Sequence, residues 1–138
     1  MPGAGAAAYG TAMVIAPGMG GSVTISVEDA DTAIAMHSGD VAVLATPRVV
    51  ALAEQATVEA VAHALEPGTT TVGCEVQLTH LAPSPVGAKV TADVVLESVD
   101  GRRLVFRVSV TDAQGLVAVG RITRVVVQRS RFLDRASG

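Results

Sequence analysis

The spacing of apolar positions changes character along the chain. Between Thr46 and Leu65 it is helical: at about 100° per residue, Val50, Thr57, Val58, Val61 and Leu65 share one face, while Arg48, Gln55, Glu59 and His63 fall opposite. Thr46-Pro47 supplies a start, because a threonine hydroxyl at the N-cap accepts a bond from a free first-turn N–H and proline suits the first helical position. Glu66-Pro67-Gly68 supplies a stop, since proline disfavours α geometry in the residue before it.

Beyond that stop the period falls to two. Thr70–Leu81, Ala88–Val99, Arg102–Thr111 and Leu116–Gln128 read as strands. Asp100-Gly101 joins the second to the third as a hairpin, and Asp112-Ala113-Gln114-Gly115 joins the third to the fourth. Upstream, Thr11–Ala16 and Ser22–Val27 are β-prone runs around the turn-rich Pro17-Gly18-Met19-Gly20-Gly21, and Glu28–Ala45 reads as loop with a short helical turn. The order strand, helix, meander predicts an α+β domain in which an antiparallel sheet wraps around one long central helix.

Length and composition narrow the picture. The 138 residues give room for one domain, expected over 11–132, with tails at 1–10 and 133–138. Aromatics make up only 2% of a chain that is 49% hydrophobic, so the core is built from Val, Leu, Ile and Ala. A net charge of -3 and the absence of tryptophan argue against a nucleic-acid partner. The single cysteine, Cys74, fits a reducing compartment. The opening MPGAGAAAYG lacks a basic region and a long apolar run, and no stretch reaches the roughly 18 apolar residues of a membrane span. A cytoplasmic protein without a membrane partner is the expectation.

The residues that fit their places badly carry the candidate chemistry. Glu54 falls between Val50, Val61 and Leu65, where a carboxylate must be paired, protonated or in a wet cleft. An ion pair or a functional site both account for it. His80 ends the alternating row Val72, Cys74, Val76, Leu78, and is either a satisfied rim histidine or a proton carrier. Thr46 is an N-cap by position, although a helix N-terminus also holds oxyanions. Gly73 interrupts a β-prone run, which suggests a bulge or a close approach to the backbone. Cys74 reads as a small core residue, and the three histidines lack the spacing of a metal site.

Taken together, Thr46, Glu54 eight residues later, Leu65-Glu66-Pro67-Gly68, Val72-Gly73, Thr79-His80, Pro83–Gly87, Val99–Leu104 and Arg124 give a pattern that resembles the hotdog-fold thioesterases of the fluoroacetyl-CoA thioesterase-like group. The resemblance runs from about Thr46 to Phe132. It implies a hotdog fold and hydrolysis of a small or medium acyl-CoA, with Thr46, Glu54 and His80 as the catalytic group. It also implies that Gly73 gives a backbone contact at the thioester and that Arg124 supports the substrate site. Coenzyme A would enter only as part of the substrate, with no bound cofactor or metal, and a homodimer or dimer of dimers is expected. Asp40-Val41-Ala42-Val43-Leu44 departs from the group in lacking aromatic residues, which argues against fluoroacetyl as the acyl group. Two other activities share such a scaffold: non-catalytic acyl-CoA binding, and hydration or dehydration of an enoyl thioester.

Overall fold

The computed structural model describes residues 14–138. The expected tail at 1–10 and the start of the run Thr11–Ala16 lie outside them; Val14–Ala16 has no strand. The chain forms β1 (Gly20–Ser26), a 3-10 turn at Asp29–Asp31, α1 (Thr46–Val61) and a second 3-10 turn at Ala62–Ala64. Strands β2 (Thr69–His80), β3 (Lys89–Asp100), β4 (Arg103–Asp112) and β5 (Gly115–Gln128) follow, and then α2 (Arg129–Ala136). No element is predicted from the sequence beyond Gln128; α2 occupies residues 133–136 of the segment expected as a tail.

All neighbouring strands are antiparallel, in the order β1-β3-β4-β5-β2, and α1 packs mainly on β1 and β3. This is the hotdog arrangement, a curled sheet around one central helix. No helix is long and apolar enough to cross a membrane among the described residues.

The helix buries a different face from the one its valines suggest. Its buried residues are Val49, Leu52, Ala53, Ala56, Thr57, Ala60 and Val61, whereas Val58 is exposed. The stripe is centred on alanines because β1 comes very close: a Cβ on Gly21 would run into the carbonyl oxygen of Ala56 and the backbone of Ala60. Glu54 therefore lies on the flank of the buried stripe and not at its middle. Buried Thr57 is satisfied within the helix, its hydroxyl donating to the Glu54 carbonyl at 2.6 Å.

Two local features redirect side chains toward the site. Residue Ala45, not Thr46, is the N-cap, and it contributes no side-chain bond. Thr46 is the first helical residue, so its hydroxyl is not consumed by capping. On β2 the register shifts between Gly73 and Glu75, which inserts Cys74 as an extra residue. Unbroken alternation puts Cys74 with Leu78 and His80; the bulge reverses the parity. Thr71 and Gly73 then face the helix before it, and Leu78 and His80 after it. Cys74 is exposed instead, with its sulfur 3.8 Å from Nη1 of Arg103.

Candidate active site

The start of α1 is fixed by contacts with two other segments. Thr32 bridges Leu44, the Ala45 N–H donates to the Asp31 carbonyl at 2.9 Å, and the Leu44 N–H donates to the Ser84 carbonyl at 2.9 Å. The Arg48 guanidinium is 2.9 Å from the Asp31 carboxylate, tying the first helical turn to the same loop. Buried Ser84 donates to Asp112 at 2.8 Å, which anchors the turn after β2 to the end of β4.

Against this frame Thr46 Oγ1 lies 2.8 Å from Nδ1 of His80, the last residue of β2. His80 Nε2 is buried and has no hydrogen-bond partner among the described residues. Since Nδ1 is the nitrogen engaged by the hydroxyl, Nε2 is the one left to exchange a proton with a reacting group. A cavity of about 340 Å³ opens on both side chains, walled by the loop from Ala33 to Leu44 and by Leu81–Pro83.

Glu54 has a different partner. Its Oε2 accepts from Nη1 of Arg124 at 3.1 Å, and Arg124 is held in turn by Thr71, with Nε donating to the threonine hydroxyl and Nη2 to its carbonyl, each at 2.9 Å. The Arg124 side chain is 7% exposed, against 36% for that of Glu54, so a buried cation anchors a carboxylate that still reaches solvent. Burial pushes the Arg124 pKa down and the Glu54 carboxylate opposes that shift. A guanidinium stays charged under such a load, which makes it a durable anchor. Gly73 completes this corner: a Cβ there would strike Glu54 Oε2, so the carboxylate lies directly over the bulged strand.

The five candidate residues thus form two groups, Thr46 with His80, and Glu54 with Arg124 and Gly73. Thr46 and Glu54 are eight positions apart on the helix, about 12 Å along the axis. No hydrogen bond joins the groups within one chain among the described residues. Thr71, which orients Arg124, carries no sequence signal except its position two residues before Gly73 on a strand face. His37 and His63 lie elsewhere, in a loop and in the exposed turn after α1.

The model of the fluoroacetyl-CoA-specific thioesterase family matches residues 27–130. The chain belongs to this family. Its match to the fluoroacetyl-CoA thioesterase of Streptantibioticus cattleyicolor is 41% identical over 90 residues, 65% of each chain, so the aligned part spans under two thirds of that relative. A solved structure of the fluoroacetyl-CoA thioesterase FlK superposes with a TM-score of 0.85 at 31% identity, over 90% of this chain and 96% of that one. A hot-dog-like protein from Thermanaerovibrio acidaminovorans gives 0.80 at 28% identity, over 87% and 89%. The family match covers α1, all of β2 to β5 and the loop before α1, and so takes in all five candidate residues.

Proposed function

We propose that the protein hydrolyses acyl-CoA thioesters to a carboxylic acid and free coenzyme A. The observation that carries this reading is the Thr46–His80 hydrogen bond in the lining of an open cavity. It leaves a buried imidazole nitrogen and a helix N-terminus beside the space a thioester carbonyl needs. Family membership supports the same chemistry.

In the general-base route Glu54 removes a proton from water, whose oxygen attacks the carbonyl carbon. The C–S bond then breaks, and the departing CoA thiolate takes up a proton relayed through His80. In the covalent route Glu54 attacks the carbonyl carbon first and the C–S bond breaks, so that the CoA thiolate leaves, taking up a proton through His80, and an acyl-Glu54 anhydride remains; water then cleaves the anhydride to the free acid and the Glu54 carboxylate. Thr46 orients His80, Gly73 admits the carboxylate, and Arg124 holds Glu54 in place through Nη1.

The distance between the two groups bears on assembly. The edge strand β2 is exposed from Gly73 to Gln77, an unpaired edge that a second copy of the chain can cover. A homodimer built on it brings Glu54 of one protomer toward Thr46 and His80 of the other, so each working site draws on both chains. The exposed thiol of Cys74 suits a reducing compartment, in keeping with a cytoplasmic enzyme.

Thiol release from acyl-CoA substrates, lost in Glu54→Gln and in His80→Ala, tests the reading. Binding without turnover would contradict it.

A further inference from the structure

Resting on the acyl-CoA reading, we infer that Arg102, Arg131 and Arg135, gathered with Phe132 where α2 meets the β3–β4 turn, hold the phosphorylated nucleotide end of coenzyme A. Their lack of partners sets them apart. Arg48 is paired with Asp31, Arg107 and Arg121 with Glu97, and Arg124 with Glu54. Among the described residues Arg102, Arg103, Arg129, Arg131 and Arg135 have no carboxylate partner, and α2 sets a single acidic residue, Asp134, against its three arginines. A chain of net charge -3 thus collects its unpaired guanidinium groups at one end of the sheet.

The fold brings these groups together. The Val126 N–H donates to the Arg102 carbonyl at 2.9 Å, which holds the turn against the end of β5. Gln128 caps α2 by accepting from the Arg131 N–H at 2.9 Å. Arg131 and Arg135, one helical turn apart, then share a face, with Cβ atoms about 6 Å from each other. Together with Arg102 and Phe132 they line a depression. Several guanidinium forks around one hollow suit a ligand whose negative charge is spread over more than one phosphate. Phe132 is 37% exposed, whereas Phe106 is fully buried. An exposed ring among arginines offers a purine a surface to stack on.

The cluster also lies at the right distance from the chemistry. Arg124, which holds Glu54, is four residues before Gln128 on β5, about 13 Å along the strand. The pantetheine arm between the sulfur and the diphosphate of coenzyme A is as long as about four residues of extended chain, roughly 15 Å. The reach is counted from Glu54, so it is the same whichever chain supplies His80.

The test compares an acyl-CoA with the acyl-pantetheine of the same acyl group, which keeps the arm and lacks the nucleotide. Arg131→Ala/Arg135→Ala raises the KM for acyl-CoA at least tenfold, as charge-assisted bonds to phosphate are lost, with kcat within twofold. The same variant leaves kcat/KM for acyl-pantetheine within twofold. Both positions are exposed, so the urea midpoint is expected to stay in place. Arg131→Lys/Arg135→Lys, which keeps the charge, recovers most of the loss. Phe132→Ala raises the KM for acyl-CoA at least fivefold and spares acyl-pantetheine. An acyl-CoA KM unchanged in the arginine variant, or equal losses on both substrates, overturns the inference while leaving hydrolysis intact. Binding of free coenzyme A, measured by calorimetry, separates the two readings. If no thioester is hydrolysed but coenzyme A binds and the arginine variant weakens it at least tenfold, the nucleotide site stands and the hydrolytic reading fails. If coenzyme A does not bind either, both fail.

Discussion

The hydroxyl of Thr46 hydrogen-bonds Nδ1 of His80 across 34 residues of sequence, at 2.8 Å, from the first position of α1 to the last of β2. A threonine spent on capping cannot make this contact, and capping is the role its place before Pro47 suggests. The two roles differ in what mutation costs. Loss of an N-cap threonine typically destabilises by about 1 kcal/mol, whereas an exposed first-turn threonine contributes within about 0.5 kcal/mol. Thr46→Ala is therefore expected to leave the urea midpoint almost unchanged while kcat falls by about ten- to a hundredfold, as positioning of a proton-transfer group is lost. Thr46→Ser, which keeps the hydroxyl, retains most of the activity.

Gly73 is required for space and not for backbone freedom, because it is not among the glycines with positive φ. Gly73→Ala pushes a methyl group into Glu54 Oε2. Activity is expected to drop at least a hundredfold, because Glu54 must swing away from its place, with a loss of no more than about 1 kcal/mol in stability, since the atom struck is the free end of a part-exposed side chain. In a Glu54→Ala background the same substitution should cost much less. Equal costs in both backgrounds, measured as a double-mutant cycle by urea unfolding, would place the clash elsewhere.

Arg124 is bonded to Glu54 and twice to Thr71 from a nearly fully buried position. Arg124→Met should destabilise by about 2–3 kcal/mol, because the Thr71 hydroxyl and carbonyl lose their donor in a buried place. Activity should fall more steeply than in Arg124→Lys, which keeps a charge near Glu54 but not the planar fork that serves two residues at once.

On the outer face Glu97 accepts from Arg121 at 2.7 and 3.1 Å and from Arg107 at 3.3 Å. The hydrogen bond from Arg121 holds its carboxyl below the usual carboxylate range. A depressed folded pKa means that the pair stabilises the fold above the unfolded value, and that this contribution disappears as the pH falls through the folded value. Glu97→Gln should remove that part of the acid limb in low salt. Because the group is exposed, 1 M NaCl should make wild type and variant converge.

Much of this was legible from residue spacing alone. The helix bounded by Thr46-Pro47 and Glu66-Pro67-Gly68 and the strands after it are set by local chemistry, and they appear within a residue or two of their expected limits, apart from the helix end, where Ala62–Ala64 is a 3-10 turn. The buried face of α1 was harder to read. Close packing on Gly21 selects alanines, which hydrophobicity ranks below the flanking valines. The bulge at Cys74 was visible as a lone glycine in a strand, but not the reversal of side-chain parity it causes, because one inserted residue changes which face every later residue meets. The partnership of Glu54 with Arg124 depends on a register between β2 and β5 that neither strand specifies by itself.

The division of the candidate residues into two groups gives a prediction about assembly. Co-expression of a Glu54→Gln chain with a Thr46→Ala/His80→Ala chain should produce mixed dimers with about half of wild-type activity, since one of the two sites then combines intact groups from both chains. Each variant alone should be inactive. If every site lies within a single chain, the mixture stays inactive as well.

The central claim is most directly tested by measuring free thiol released from an acyl-CoA panel that includes hexanoyl- and crotonyl-CoA. The account predicts steady turnover of at least one saturated acyl-CoA of the panel to equimolar acid and coenzyme A, reduced at least a hundredfold in both Glu54→Gln and His80→Ala. Tight binding without thiol release, or conversion of crotonyl-CoA to a hydrated product with its thioester intact and no acid formed, would contradict it.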